Sequence, residues 1–404
     1  MMLAASLAAP QRAVRAAVAT TFVALLHLMG GVDAESGGVG RDELAAQASS
    51  PVYWRSLCPK LHIGEPHDVA FELSGLPGEV MESAELLGID GYFLGHPHRR
   101  EEEWRLGDNV TFGDMAACVV SMRQAGWPSV FVWVFDEFWL LVRRLRGILR
   151  ALLGPDAVML QPLWAYRVEA ASSRSAASHE AETGGWFAHR DRPWLGTGNR
   201  PKSVPVYEGD TPWPPSLNVW LPLTHASPDN GCMYVYPKST DSTIVDRLHR
   251  DRETMRMDAA SVRAMPATPG QFMGWDGELL HWGSMAAEES LDCARISVNF
   301  EAARNYEIAA IVTHPEAAHF PLDLWPGFGF RLRAIDSTIK GFKHMNEHRV
   351  LPNRTRRFCL EDLHAVAASV PCGRDCDTLR GGLCGDASLP SDTPPQQCPR
   401  RRFE

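Results

Sequence analysis

The chain lacks an excess of basic residues, long apolar runs beyond residue 32, and paired Cys-x-x-Cys motifs. Its net charge of -9 and pI near 5.9 argue against an extended nucleic-acid-binding surface, which would need a basic stripe. No segment after residue 32 is long and apolar enough to cross a bilayer. What is present is a chain of 404 residues with 45% hydrophobic content, which is enough to bury a large core.

The N-terminus resembles a targeting segment. Arg12 and Arg15 lie in an acid-free stretch, residues 16–32 are almost entirely apolar, and Val32-Asp-Ala34 has small residues at the signal-peptidase spacing. We expect a secretory signal in residues 1–34, and with it the endoplasmic reticulum lumen or secretion as the location. An uncleaved anchor through residues 16–32 and an organelle transit peptide are the alternatives.

Five of the nine cysteines crowd into the last fifty residues, beside Pro, Gly, Asp and Ser. In an oxidising compartment this composition predicts a disulfide-bonded tail, whereas a zinc site would need better paired spacing. The odd total predicts a free thiol, with Cys232 or Cys118 the best buried candidates. Asn109-Val-Thr111 and Asn353-Arg-Thr355 are possible glycosylation sites. The tail cysteines are Cys359, Cys372, Cys376, Cys384 and Cys398.

Helical spacing dominates the first half of the chain, and short alternating runs follow residue 158. Helices are predicted over residues 79–87 and 112–125, with Gly88 and Gly126 as stops, and another begins with Asp136 as its N-cap. The alternating runs indicate a mainly β fold of the jelly-roll type with flanking helices. We therefore divide the chain into a targeting segment (1–34), linker (35–50), helical support (51–157), β core (158–305), extension (306–357) and Cys-rich tail (358–404).

Two histidines and one aspartate form the most informative pattern. Alternate residues of a strand share a face, so His189 and Asp191 should project to the same side. His281 follows the apolar pair Leu279-Leu280, where a second strand is expected to end, and it supplies a third ligand. Two imidazoles and one carboxylate that leave positions open favour non-haem Fe(II) over zinc.

Arg295 and Ser297 form a second pair with the same spacing, on the alternating run 294–300. An inward-facing guanidinium requires an anion, and its planar fork matches a carboxylate. Beside open iron positions, this pair predicts a pocket for 2-oxoglutarate, with its 2-oxo acid end and O2 at the metal. Asn299 has the same parity, so it is a candidate cosubstrate or substrate contact.

Residues 185–300 resemble the phytanoyl-CoA dioxygenase family of Fe(II)/2-oxoglutarate oxygenases. After His-x-Asp come Leu217-Asn-Val-Trp-Leu-Pro-Leu223, the block from Ser227 to Ser239, Pro-Gly-Gln-Phe-Met-Gly-Trp at 269–275 and the distal histidine, in the order of the family. A looser match extends from about residue 76 to 165. The resemblance implies a double-stranded β-helix, or cupin-like, core. It also implies iron ligation by the three residues named above, 2-oxoglutarate binding by Arg295, and a place for Trp220 in the cosubstrate pocket.

The resemblance implies an oxidoreductase that hydroxylates a C–H bond of a small-molecule or lipid-like substrate, releasing succinate and CO2. Halogenating relatives replace the metal carboxylate with a small residue, so the presence of Asp191 favours hydroxylation. Trp275 is a further candidate for substrate contact, and residues 194–215 are a candidate lid. The alternatives are a non-catalytic cupin-like binding protein and a zinc-dependent hydrolase that uses the same three residues. The oligomeric state is not predicted.

Overall fold

In a computed structural model of the protein, two antiparallel sheets lie beside a layer of helices. The structure describes residues 41–64, 77–95, 110–169, 188–191, 214, 216–241, 258–287, 294–304, 319–323 and 325–341. The predicted targeting segment, the Cys-rich tail, the triplet 353–355, Asn109 of the other triplet and nearly all of the candidate lid lie outside these residues.

Six α-helices lie within the described residues. The last part of the expected linker 35–50 is helical, because residues 41–48 are good helix formers and Ala48 is buried. No described helix has the length and apolar character that a bilayer crossing requires. The helices are α1 (Arg41–Ala48), α2 (Pro51–Leu57), α3 (Pro77–Asp90), α4 (Phe112–Gln124), α5 (Asp136–Leu153) and α6 (Phe328–Gly341).

The α5 helix confirms the predicted amphipathic helix but corrects its first residue. Its N-cap is Phe135, and Asp136 is the first helical residue. The carboxylate of Asp136 accepts a hydrogen bond from Arg331 Nη1 at 2.6 Å, so it serves a buried ion pair instead of a cap. Similarly, α3 continues through Gly88 and ends before Gly91, whose φ of 82° suits the position after a helix.

One of the two candidate free thiols is instead a disulfide partner. Cys118 of α4 is bonded to Cys58 at the end of α2, 60 residues away in sequence. Helical spacing alone placed Cys118 in an apolar face, but the packing of α2 against α4 brings a second sulfur beside it. Cys232 is buried and free, as predicted.

The nine described strands form a six-stranded sheet in the order β1-β6-β3-β8-β2-β9 and a three-stranded sheet in the order β5-β4-β7. Strands β1 and β9 lie outside the expected 158–305 core, in the support region and the extension. The strands are β1 (Tyr92–Gly95), β2 (Val158–Val168), β3 (Ser216–Pro222), β4 (Met233–Tyr236), β5 (Arg263–Met265), β6 (Phe272–Asp276), β7 (Leu280–Gly283), β8 (Arg295–Ala303) and β9 (His319–Pro321).

Strand alternation gives the large sheet two different faces. On β8, Ile296, Val298 and Phe300 join the main core with the helices, while Arg295 and Ser297 project to the opposite side. That opposite face meets the small sheet through a second apolar cluster, which contains residues of both sheets. This arrangement confirms the predicted mainly β, jelly-roll architecture, and it places the candidate site residues between the sheets.

Close packing on the helix side depends on a glycine in β6, next to the edge strand β1. Gly274 of β6 lies opposite Phe93 of β1. A Cβ atom built on Gly274 would lie 2.5 Å from the Phe93 ring, far inside van der Waals contact. Glycine at this position therefore leaves room for the Phe93 ring to pack closely against β6 and join the main core.

Candidate metal centre

The structure brings His189, Asp191 and His281 together. One possible ligand atom from each residue lies within 4.8 Å of the other two. Nε2 of His189 is 3.5 Å from Oδ1 of Asp191, and Nε2 of His281 is 3.4 Å from Oδ2. Three nitrogen and oxygen donors this close together match the ligand set of a mononuclear metal site.

A short backbone pairing holds the two histidines side by side. The predicted strand 186–191 is described only from residue 188, where His189 forms an isolated antiparallel bridge with His281. Each residue donates its backbone N–H to the carbonyl of the other at 3.0 Å, and the ring centroids are 4.4 Å apart. His281 is the second residue of β7, so it lies near the start of a strand and not at the end of one.

The ring of His281 is oriented by its neighbours. Its Nδ1 lies 3.0 Å from the carbonyl oxygen of Leu279, so Nδ1 carries the proton and donates it, leaving Nε2 for a metal. The side chain is only 3% exposed, and the Trp275 ring lies 4.9 Å from it. Burial lowers the pKa of His281, which favours the neutral imidazole that metal binding requires.

Asp191 is held by two donors that the sequence did not reveal in this role. Asn218 Nδ2 and Trp275 Nε1 donate to Oδ2 of Asp191 at 2.8 and 3.0 Å. Asn218 and Trp275 are directly paired on β3 and β6, so their side chains share a face. Burial alone would raise the pKa of Asp191, but the two histidines and the Trp275 bond lower it to about 2, so the carboxylate is ionised.

The triad is open on one side. The side chains of His189 and Asp191 are 36% and 30% exposed, in contrast to that of His281. Two imidazoles and one carboxylate that converge from one direction leave further coordination positions for other ligands. This arrangement differs from a closed structural zinc site.

The two residues of the predicted carboxylate clamp lie together. Arg295 and Ser297 are buried, and Nη1 of Arg295 donates to Oγ of Ser297 at 3.0 Å. The guanidinium lies 5.9 Å from the centre of the Trp220 ring. In the described part of the chain, Arg295 Nε and Trp220 Nε1 are both buried without a hydrogen-bond partner, and no carboxylate pairs with Arg295. A buried cation with a spare donor fits a bound anionic cosubstrate.

Pairing across the large sheet places these groups on one surface. Trp220 and Asn299 are directly opposite each other, and so are Tyr166 and Ser297. Asn299 is buried on this face, in agreement with its predicted parity. Tyr166 was missed by the sequence analysis. Burial and the negative charge of Asp191 both raise the pKa of Tyr166, whereas the positive charge of Arg295 lowers it. The net effect keeps the phenol neutral, and its charge interactions link it to both the metal ligands and the clamp.

Comparison with known proteins identifies one family domain in the chain. Residues 98–286 match the model of the phytanoyl-CoA dioxygenase (PhyH) family. The chain carries a phytanoyl-CoA dioxygenase domain. It is therefore an oxidoreductase of the non-haem dioxygenase class, and iron and 2-oxoglutarate, the predicted cofactors, are those of the family. The residues of the triad and the clamp fit that pair of groups.

Solved structures give further, more distant similarities. The α-ketoglutarate-dependent epimerase SnoN from nogalamycin biosynthesis is 14% identical, with 62% of this chain and 86% of SnoN covered and a TM-score of 0.38. The non-haem monooxygenase ThoJ is 15% identical, with 70% and 98% covered and a TM-score of 0.38. EctD from S. alaskensis is 14% identical, with 60% and 81% covered and a TM-score of 0.36. No curated protein sequence matches the chain significantly.

Proposed function

We propose that the domain hydroxylates a C–H bond of a small-molecule or lipid-like substrate. In the proposed reaction O2 is split between two products. One oxygen atom enters the new hydroxyl group, and the other enters succinate as 2-oxoglutarate loses CO2. His189, Asp191 and His281 would hold the iron, and Arg295 with Ser297 would bind the distal carboxylate of 2-oxoglutarate.

The observation that carries this proposal is the pairing of an open three-ligand cluster with a buried arginine that has no anionic partner among the described residues. The cluster leaves coordination positions available. Arg295 is 2% exposed and keeps an unpartnered Nε in the described part of the chain. A dicarboxylate that reaches both the metal and the guanidinium would satisfy both sites, whereas a simple hydrolase needs no such clamp.

The protein residues bind, orient and exclude water. When bound, iron and 2-oxoglutarate supply the oxidative chemistry. Trp220 packs beside the Arg295 guanidinium and excludes water from it, which strengthens the contact with a carboxylate. Asn299 lies directly opposite Trp220 on the neighbouring strand, and this position supports the prediction that Asn299 contacts cosubstrate or substrate.

Removing a ligand tests the proposal directly. His189→Ala or Asp191→Ala should abolish both metal binding and the Fe(II)-dependent conversion of 2-oxoglutarate to succinate. His225→Ala is a suitable control, since His225 is an exposed loop residue and should leave both properties unchanged. Succinate is measured in the presence of an extract of candidate metabolites, in which the acceptor gains 16 daltons, the mass of one oxygen atom.

The same measurements separate the alternative functions. A zinc-dependent hydrolase would retain zinc and show no dependence on 2-oxoglutarate. A binding protein without turnover would bind 2-oxoglutarate and metal but would release no succinate. Wild-type turnover in the Asp191→Ala variant would contradict the proposed ligand set.

We also propose that the chain matures in the secretory pathway. The pattern of residues 1–34 supports this location, and so does the Cys58–Cys118 disulfide, since such bonds persist in oxidising compartments. N-terminal sequencing of the mature protein should begin at Glu35. A mature chain that begins at Met1, with both cysteines reduced, would contradict the proposal.

A further inference from the structure

Arg190 lies between two of the proposed ligands but takes part in a separate set of contacts. Its guanidinium donates to Oδ2 of Asp241 and to the carbonyl oxygen of Glu278. The Arg190 side chain is 14% exposed and that of Asp241 is 1% exposed. A carboxylate buried to this degree needs a charged or hydrogen-bonding partner, so the contact is a strong local constraint.

The Glu278 carbonyl belongs to the turn that leads into His281. In this turn Leu279 N–H donates to the Asp276 carbonyl at 2.9 Å, and Glu278 N–H donates to Oδ1 of Asp276, also at 2.9 Å. The next carbonyl along the chain, that of Leu279, accepts the hydrogen bond from Nδ1 of His281. Arg190 therefore ties the segment that carries His189 and Asp191 to the turn that orients the third ligand.

A short 3-10 helix, Lys238–Thr240, completes the connection. Its C-cap residue is Asp241, whose N–H donates to the Lys238 carbonyl at 3.2 Å. Lys238 Nζ donates to Oδ2 of Asp276 at 2.5 Å and lies 3.7 Å from Oε2 of Glu278. One short segment thus supplies an anion for Arg190 and a cation for the turn before His281.

We propose that Arg190, Asp241 and Lys238 form a charged brace that positions the metal ligands, and that Arg190 is a positioning residue. The inference rests on the proposed function, because it assumes that the three residues bind a metal. Within the described segment 188–191, His189 and His281 form an isolated bridge with two backbone hydrogen bonds, which constrain the ligand segment less than a strand ladder would. The brace adds a second, charged attachment on the side away from the metal.

The test is metal affinity, measured on the full chain by calorimetry with Mn(II). Arg190→Met should weaken Mn(II) binding by about 10–100-fold, as expected when a group that orients a ligand is lost. Arg190→Lys keeps the positive charge but cannot donate two hydrogen bonds in the fixed geometry of a guanidinium. Its Mn(II) affinity should therefore lie between those of the wild type and Arg190→Met. Asp241→Asn should weaken binding in the same direction. The double variant Arg190→Met/Asp241→Asn should bind Mn(II) no more weakly than the single variant with the larger loss of affinity, because the two residues act as one unit.

Arg146→Met is the matched control. Arg146 is 16% exposed and forms an ion pair with Asp323 in the helical layer, away from the ligands. It should change Mn(II) affinity by less than twofold. If Arg190→Met does not fold, the Mn(II) affinities of Arg190→Lys and Asp241→Asn test the brace instead. Folded brace variants that bind Mn(II) like the wild type would overturn the brace alone, whereas a wild-type chain that binds no metal would overturn the proposed function.

Discussion

Replacing Arg295 with methionine should make the ligand-free protein more stable and at the same time abolish 2-oxoglutarate binding. Burial lowers the pKa of Arg295 from 12.5 to about 10, although the nearby Tyr166 and Cys232 act in the opposite direction. One pKa unit corresponds to 1.36 kcal/mol, so the buried charge costs on the order of 3 kcal/mol. That cost is present below pH 10, and it falls as the pH rises from about 10 towards 12.5.

Methionine removes this cost and gives up the hydrogen bond to Ser297, which contributes about 1 kcal/mol. The net gain of about 2 kcal/mol should raise the Tm by about 4–8 °C, since about 2–4 °C per kcal/mol is usual for domains of this size. In the wild type, Mn(II) with 2-oxoglutarate at 100 times its Kd should add about 2.7 kcal/mol. The Arg295→Met variant should show no stabilisation by 2-oxoglutarate.

Thermal melting with and without 2-oxoglutarate measures both effects, and Arg331→Met provides the contrast. Arg331 is equally buried, but its Nη1 donates to Asp136 at 2.6 Å. Removing it leaves a buried carboxylate without its cation, so Arg331→Met should lose about 3–5 kcal/mol. An Arg295→Met variant that melts below the wild type without ligand, or that is still stabilised by 2-oxoglutarate, would refute this reasoning.

Two further predictions concern Asp191 and the helical layer. Asn218→Ala should weaken Mn(II) binding about tenfold in calorimetry, because one donor to Asp191 is lost, and Trp275→Phe, which keeps the ring and removes the other donor, should have a similar effect. Cys58→Ser opens a disulfide that joins residues 60 apart, so it should lower the free energy of unfolding by about 2–4 kcal/mol. The wild type melted with a reducing agent should then match this variant, and an unchanged Tm in both would contradict the stabilising role.

Strand alternation and motif order were sufficient to predict the β architecture and the convergence of the candidate ligands. The predicted pair at residues 295 and 297 is buried on one face because β8 runs for nine residues with strict alternation. Strands β1, β5 and β9 have only three or four residues, which is too short for an alternating pattern to stand out. These short strands form because neighbouring strands supply hydrogen-bond partners and the helical layer supplies packing contacts. Both kinds of partner are far away in the sequence, so a local pattern does not reveal them.

Contacts between distant residues account for the remaining differences. The sequence suggested Trp275 only as a candidate substrate contact, whereas the register of β6 against β3 directs its indole N–H to Asp191, 84 residues earlier in the chain. The same register puts Asn218 beside it. Arg190 and Asp241, 51 residues apart, carry no shared periodicity that would connect them. A sequence pattern thus identifies the face on which a side chain lies, whereas its partner on that face depends on strand register, which in this sheet is set by how the apolar face packs against the helices.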